Sequence, residues 1–258
     1  MSKASQAPAV KSADRVMDIF ELLAESRTPM SLTDISRALD LPPSSTHKLL
    51  NNMKTRGFLE TDPSERLFCL GRKFFEIGTL SMQGSDLTKE FQAIAEEIVN
   101  ELNESVYLAI RHGDKVLYIG EKQSAHPVRF VSHLGMALPL HATAMGKAML
   151  SRMTEEELDA LYPDGTLGAV TERTIRDLAE LKPQLARIRE EGLAYSMGES
   201  VAGIFCVGAP ILGHDGNAVA AMSVSVPESR FTDELWEKVK RAVSDGAKRL
   251  SVKMYYKR

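Results

Sequence analysis

Early in the chain apolar residues recur at helical spacing in three successive segments, and alternating ones follow. "ADRVMDIFELLAE" places Val16, Ile19, Phe20 and Leu23 on one helical face. Asp14 sits near its start, where a carboxylate suits the unbonded amides and the helix dipole. After a break at Pro29, "TPMSLTDISRALD" predicts a short second helix capped by Ser31 or Thr33, with Leu32, Ile35 and Leu39 inward. "LPPSST" breaks the chain again. Proline is tolerated in a first helical turn, where its missing N–H would be unbonded anyway, so a third helix is predicted from Pro43 or Ser44. It buries Leu49, Leu50 and Met53 and ends at Gly57. Residues 58–61 and 67–70 then read as short strands around a turn at Asp62-Pro63-Ser64. This order is that of a winged helix-turn-helix.

The pattern continues as "RKFFEIGTLSMQGSDLTKEFQAIAEEIVNELNES". Phe74, Phe75, Ile77, Leu80 and Met82 form a first helical piece, more apolar than a solvent linker needs. It either contacts a second copy of the chain or packs on its own domain. After Gly84-Ser85 a second helix carries Leu87, Phe91, Ile94, Ala95, Ile98 and Leu102. "SVYLAIRHGDKVLYIGEK" alternates around His112-Gly113-Asp114-Lys115 as a hairpin with Val106, Leu108 and Ile110 on one face. "VRFVSHLGMALPL" reads as extended, and "HATAMGKAMLSRM" as a helix opened by small residues. Thr154 with Glu157 is a capping pattern, and a helix is predicted from Asp177 to Glu191. "LAYSMGE" and "GIFCVGAPILGHDGNAVAAMSVSVP" add strands, the last two joined at His214-Asp215-Gly216-Asn217. A closing helix buries Leu235, Trp236, Val239, Val243 and Leu250. The expected second domain is α+β, a mostly antiparallel sheet with helices on one side.

Composition then narrows the class. The 258 residues are 43% hydrophobic and 26% charged, which fits one or two globular domains. No stretch reaches the roughly 20 apolar residues of a membrane-spanning helix. The N-terminus lacks the apolar centre of a secretory signal, and Cys69 and Cys206 stand far apart, so a reducing cytoplasm is expected.

Charge adds a sharper clue. The net charge is -3, and residues 1–71 carry nine basic and nine acidic side chains, yet no acid appears between Leu41 and Leu59. A helix entering a DNA major groove must exclude carboxylates, which phosphates repel, and present small polar or long basic groups. Ser44, Ser45, Thr46, His47, Lys48, Asn51 and Asn52 meet that requirement, with Arg66 at the wing. Lys54 and Arg56 are phosphate contacts or plain surface.

The chain resembles the IclR family of bacterial transcription regulators from about Lys11 to Tyr255. The resemblance rests on "LPLHATAMGKAML" (138–150), "TERTI" (171–175), "IREEGLAYS" (188–196), "GIFCVGAPI" (203–211) and "SVSVP" (223–227), in that order and spacing. It implies a winged helix-turn-helix DNA-binding domain over 1–71, a linker helix over 72–85 and a GAF-like effector-binding domain over 86–258. It also implies a homodimer or homotetramer (a dimer of dimers) on double-stranded operator DNA. The regulated genes would form a catabolic operon, typically under a repressor. A small organic effector, commonly a carboxylate, would modulate operator binding. No cofactor is implied. By similarity, effector contacts fall near Phe130, Leu138, Ala144, Met145, Ser196, Cys206, Ser223 and Ser225. Ser196 stands where some relatives carry an acid.

The residues themselves point to a pocket there. Ser223 and Ser225 share one face of a strand, while Met222, Val224 and Val226 take the other. Cys206 and Gly208 share a face of the neighbouring strand. Such a small, mildly polar surface suits a cavity lining; alternatively the serines are strand hydroxyls facing solvent. Ala142-Thr143-Ala144 at a helix start leaves N–H groups approachable by an anion. Met145 and Met149 also fit a core face, and Glu199 either orients a loop or is exposed. An enzyme using Cys206 with His141 or His133 is disfavoured, because a mid-strand thiol lacks the cationic neighbours that activate a thiolate. His126, His133, His141 and Cys206 lack metal-ligand spacing. A sensor that binds ligand without touching DNA is the remaining alternative.

Overall fold

The computed structural model describes residues 10–26, 28–77 and 86–255. The chain divides into two compact units, Met1–Gly84 and Ser85–Arg258.

In the first unit α1 (Lys11–Ser26), α2 (Leu32–Ala38) and α3 (Pro43–Thr55) follow one another as expected. Ser31 caps α2, its hydroxyl oxygen accepting the Asp34 N–H at 3.2 Å. Pro43 opens α3, and Gly57 ends it at a φ of +77°. The Phe58 N–H reaches the Met53 carbonyl there at 3.0 Å. Ile19, Leu23, Ile35, Leu50, Met53, Leu59 and Phe68 form the core. Strands β2 (Leu59–Thr61) and β3 (Leu67–Leu70) make the wing. A two-residue strand, β1 (Met30–Ser31), joins them in the order β1-β3-β2. No alternation could announce a strand that short.

Residues 73–77 begin helix α4. Phe74 packs edge-on to Phe20 and Phe58, at centroid distances of 4.7 and 5.4 Å, so part of this helix packs on its own unit. Phe75 and Ile77 are exposed. Leu80 and Met82 lie outside the described residues.

The second unit holds one antiparallel sheet in the order β6-β5-β4-β9-β8-β7. Its strands are β4 (Ser105–His112), β5 (Lys115–Lys122), β6 (Ala137–Pro139), β7 (Ala194–Met197), β8 (Ile204–Leu212) and β9 (Ala218–Pro227). The helices are α5 (Asp86–Leu102), α6 (Ala144–Leu150), α7 (Glu155–Leu161), α8 (Leu178–Glu191) and α9 (Asp233–Tyr255). Both expected hairpins form, and Thr154 and Glu157 complete a capping box on α7.

Two expectations need correction. Helices cover both faces of the sheet. Val106, Leu108, Val207, Met222, Val224 and Val226 pack with α5 and α9, whereas Tyr107, Ala109 and Ala221 pack with α6, α7 and α8. Strands β8 and β9 are buried on both faces, the Ser223 and Ser225 face included, so their residues do not mark an exposed side. The segment expected to be extended forms a strand only over Ala137–Pro139. Before it, side-chain bonds hold an irregular loop: Ser132 Oγ donates to Glu121 at 2.6 Å, and Arg129 donates to the His126 carbonyl at 2.7 Å.

Helix α6 lies directly on β8. A Cβ at Gly208 would stand 2.8 Å from the Ala144 carbonyl carbon and 2.9 Å from the Met145 nitrogen. Gly208→Ala is therefore expected to lower stability by about 1–3 kcal/mol through overpacking, measured by urea denaturation; an unchanged midpoint would show that α6 moves away freely.

Candidate functional site

Helix α3 presents its polar residues on one side. Ser44, His47, Lys48, Asn51 and Asn52 are exposed and Ser45 is half-exposed. Thr46 is a correction: it is fully buried, and its hydroxyl donates to the Pro42 carbonyl at 3.2 Å. Thr46, Leu50 and Met53 lie four and three residues apart, the spacing of the inward face. Thr46 therefore holds α3 to its domain and does not reach outward.

The wing completes this surface. Lys54 Nζ meets Glu65 at 2.9 Å, tying the end of α3 to the wing turn. The Asp62 carboxylate accepts N–H bonds from Ser64, Arg66 and Leu67. These bonds, with the Ser64 hydroxyl bond as the largest cause, lower its pKa to about 2 and keep it charged. His47, Asn51, Lys54 and Arg66 line one groove with Thr33 of α2. Thr33 was legible as a possible cap but not as part of this surface. Asn51 Nδ2 lies 3.2 Å from the His47 ring, so the two side chains form a unit.

In the second unit the β7-β8-β9 register builds the small polar face. Ser196 pairs with Cys206, Cys206 with Ser225, and Gly208 with Ser223. Cys206 Sγ and Ser225 Oγ are 3.2 Å apart, and both serines of β9 are buried, not solvent-facing. Phe130, Ala144, Met145, Cys206 and Ser223 line one cavity of about 10 Å³, the space of a single water. Tyr118, Thr143, Ser200, Val201 and Ile204 complete its wall.

Three expected contacts lie outside that lining. Ser225 adjoins it through Cys206. Ser196 donates to the Ala142 carbonyl at 3.0 Å, fixing the turn before α6. Leu138 sits on β6, paired with Val116, and packs into the core. The N–H groups at the start of α6 are partly used: Thr143 Oγ1 accepts from Gly146 at 3.0 Å. Burial raises the Tyr118 and Tyr107 phenols, so both remain neutral donors. Tyr107 donates to the Phe130 carbonyl at 2.6 Å, pinning Phe130 over the cavity.

Sequence reasoning missed a buried ion pair beside this cavity. Lys147 Nζ lies 2.7 Å from both oxygens of Glu199, and Lys147 is 1% exposed. Burial pushes the ammonium below its ordinary range, and Glu199 pushes it back up. A lysine amid the small and apolar residues of α6 was the available signal. Thr171 and Thr174 hold the same segment, donating to the carbonyls of Gly198 at 2.8 Å and Glu199 at 2.7 Å. The thiol and the histidines do not form a catalytic pair. Burial pushes Cys206 up to about 11, while His141 is bonded to the Gly168 carbonyl at 2.8 Å and His133 is exposed.

Residues 79–252 match the family described as bacterial transcriptional regulator IclR C-terminal, and residues 12–63 match the IclR helix-turn-helix domain. The chain belongs to the IclR family. The HTH-type transcriptional repressor AllR of Salmonella typhi is 33% identical over 241 residues, 93% of this chain and 89% of that one. The HTH-type transcriptional regulator BhcR of Paracoccus denitrificans is 31% identical over 245 residues, 95% and 88% of the two chains. The crystal structure of the Thermotoga maritima IclR superimposes with a TM-score of 0.78 at 26% identity, covering 96% of this chain and 100% of that one. This IclR-family chain is thus a DNA-binding transcriptional regulator, not an enzyme, with an N-terminal helix-turn-helix domain and a C-terminal effector-binding domain. Among the described residues no helix is long and apolar enough to cross a membrane.

In this IclR-family effector domain, Lys147→Ala is expected to cost about 3–5 kcal/mol by leaving the Glu199 carboxylate buried and unpaired. Lys147→Met with Glu199→Leu is expected to recover most of that in urea denaturation; a double variant as unstable as the single one contradicts the pairing.

Proposed function

We propose that a small organic acid, bound between α6 and the β8–β9 face, modulates the binding of this regulator to operator DNA. The carrying observation is the small cavity of mixed polar and apolar lining among Phe130, Ala144, Met145, Cys206 and Ser223. Its hydroxyls and neutral phenol offer donors without a buried carboxylate in the lining, which suits an anion. Ser196 and Ser225 support this lining from either side of Cys206. At about 10 Å³ the cavity must widen to admit an acid, so binding is coupled to movement of its walls.

On the DNA side, Ser44, Ser45, His47, Lys48, Asn51 and Asn52 face the major groove, and Arg66 contacts phosphate from the wing. Their exposure on one side of α3 and the shared groove support this reading over a sensor without DNA contact. The domains run 1–71, 72–85 and 86–258, the last GAF-like; of the middle, linking segment only residues 72–77 are described, and 73–77 are helical. Exposed Phe75 and Ile77 support assembly as a homodimer or dimer of dimers on a palindromic operator. The setting is cytoplasmic. Similarity to the AllR repressor supports repression; in this reading the target is a catabolic operon and the acid releases it.

The test selects an operator from random-sequence DNA and measures affinity by fluorescence anisotropy. Lys48→Ala and Asn51→Ala are each expected to lose about 1–3 kcal/mol, a roughly 5- to 150-fold weaker complex. Thr46→Val stays within about 2-fold, since Thr46 faces inward. Ser223→Leu keeps operator affinity but loses the response to acids found by thermal-shift screening. Full affinity after both α3 substitutions would refute the DNA-facing assignment; a retained acid response in Ser223→Leu would refute the cavity.

A further inference from the structure

We propose that a second cavity, at the end of the six-stranded sheet that carries the β4–β5 and β8–β9 turns, binds a phosphoryl-type dianion between Arg111 and Arg152. The cavity measures about 190 Å³, enough for an oxyanion of a few heavy atoms. Arg111 from the end of β4, Arg152 from the turn after α6, and Asn217 at the start of β9 line it, over an apolar floor of Met149 and Met153. It shares no lining residue with the cavity around Cys206.

Arg152 carries the argument. Its Nε–H is shut off from solvent and meets no protein acceptor among the described residues. A guanidinium does not shed its proton to relieve this; with Nε closed to solvent, its charge can be met only where Arg152 lines the cavity, by a counter-ion or by water. Burial and the neighbouring Arg189 both oppose that charge. An arginine at a helix C-terminus ordinarily bonds the free carbonyls there. Here Arg189, reaching over from α8, already takes the carbonyls of Ser151 at 2.7 Å and Met153 at 2.8 Å. The acid in the lining is Glu157, whose carboxylate accepts the Thr154 N–H at 2.8 Å to cap α7. Neither Arg111 nor Arg152 forms an ion pair among the described residues.

Two cationic side chains therefore line one small cavity, and the one carboxylate beside them, Glu157, is engaged in the α7 cap and pairs with neither. A guanidinium presents a planar fork that pairs with two oxygens of a carboxylate or phosphate. Forks arriving from two separate elements favour a tetrahedral oxyanion, whose oxygens point in several directions, over a single planar carboxylate. The phosphoryl group comes either as inorganic phosphate or on a small phosphorylated compound.

Thermal unfolding of the full chain, in chloride buffer at constant ionic strength, tests this with sodium phosphate and sodium malonate as probes. Phosphate at about 100 times its dissociation constant is expected to raise Tm by roughly 5–10 °C, with malonate giving less. Arg152→Met is expected to match or exceed the wild-type Tm without phosphate, because an unpaired cation has gone, and to lose the phosphate response. Arg111→Gln, at an exposed position, keeps the basal Tm and needs about 10-fold more phosphate for the same rise. An unresponsive wild type overturns the site, as does a phosphate response that survives in Arg152→Met. A lower basal Tm in Arg152→Met makes Arg152 structural and also overturns it. Malonate equal to phosphate overturns the phosphoryl assignment.

Discussion

The effector domain is organised by the contact of one helix backbone with one strand. Helix α6 rests on β8 at Gly208, where a Cβ would meet the Ala144 carbonyl carbon at 2.8 Å. Gly146 allows the same closeness on the other side, since a Cβ there would stand 2.1 Å from the Leu140 carbonyl oxygen. With the backbones this near, the side chains around them need only be small. Ser196 bonds back to Ala142, Thr143 caps the first turn of α6, and Ser223 and Cys206 face a cavity with room for one water. The same placement carries Lys147 to Glu199.

Two ion pairs, one buried and one half-buried, then fix the cavity walls. Lys147–Glu199 joins α6 to the segment that supplies Ser200 and Val201. Arg230 grips Glu104 with two bonds of 2.7 Å and donates a third, also 2.7 Å, to the Val128 carbonyl in the loop carrying Phe130. Burying a charge costs several kcal/mol, so such pairs add little net stability. Their effect is geometric: each removes freedom from a wall that a ligand must displace. A small cavity held by discrete clasps favours two arrangements over gradual deformation.

Much of this architecture was legible in the chain. The α1–α3 order, the wing, the hairpins and the α7 capping box follow from periodicity, proline and glycine placement and cap chemistry. Alternation and the hairpin pointed to the Ser223–Ser225 face meeting the Cys206–Gly208 face; the residue-by-residue register is seen only in the structure. Three things were less accessible. Thr46 reads as polar, yet it shares the spacing of Leu50 and Met53, and here spacing outranks side-chain type. Strands β8 and β9 are buried on both faces, and small serines on one of them do not reveal whether a helix or solvent covers it, so helices on both sides of the sheet could not be told from helices on one. Lys147 and Glu199 are 52 residues apart in sequence, and no local pattern links such partners. Leu138 came from family resemblance, which locates a neighbourhood and does not resolve which side chains reach the ligand.

The central claim is that an acid enters between α6 and the β8–β9 face and shifts the walls that the two ion pairs hold. Amide hydrogen exchange on the full chain, with and without an acid found to stabilise it, reads this segment by segment. The account predicts altered protection at residues 143–147, 198–206 and 223–225, with the α5 and α9 core unchanged. Changes confined to other segments, with these three unaffected, would contradict it.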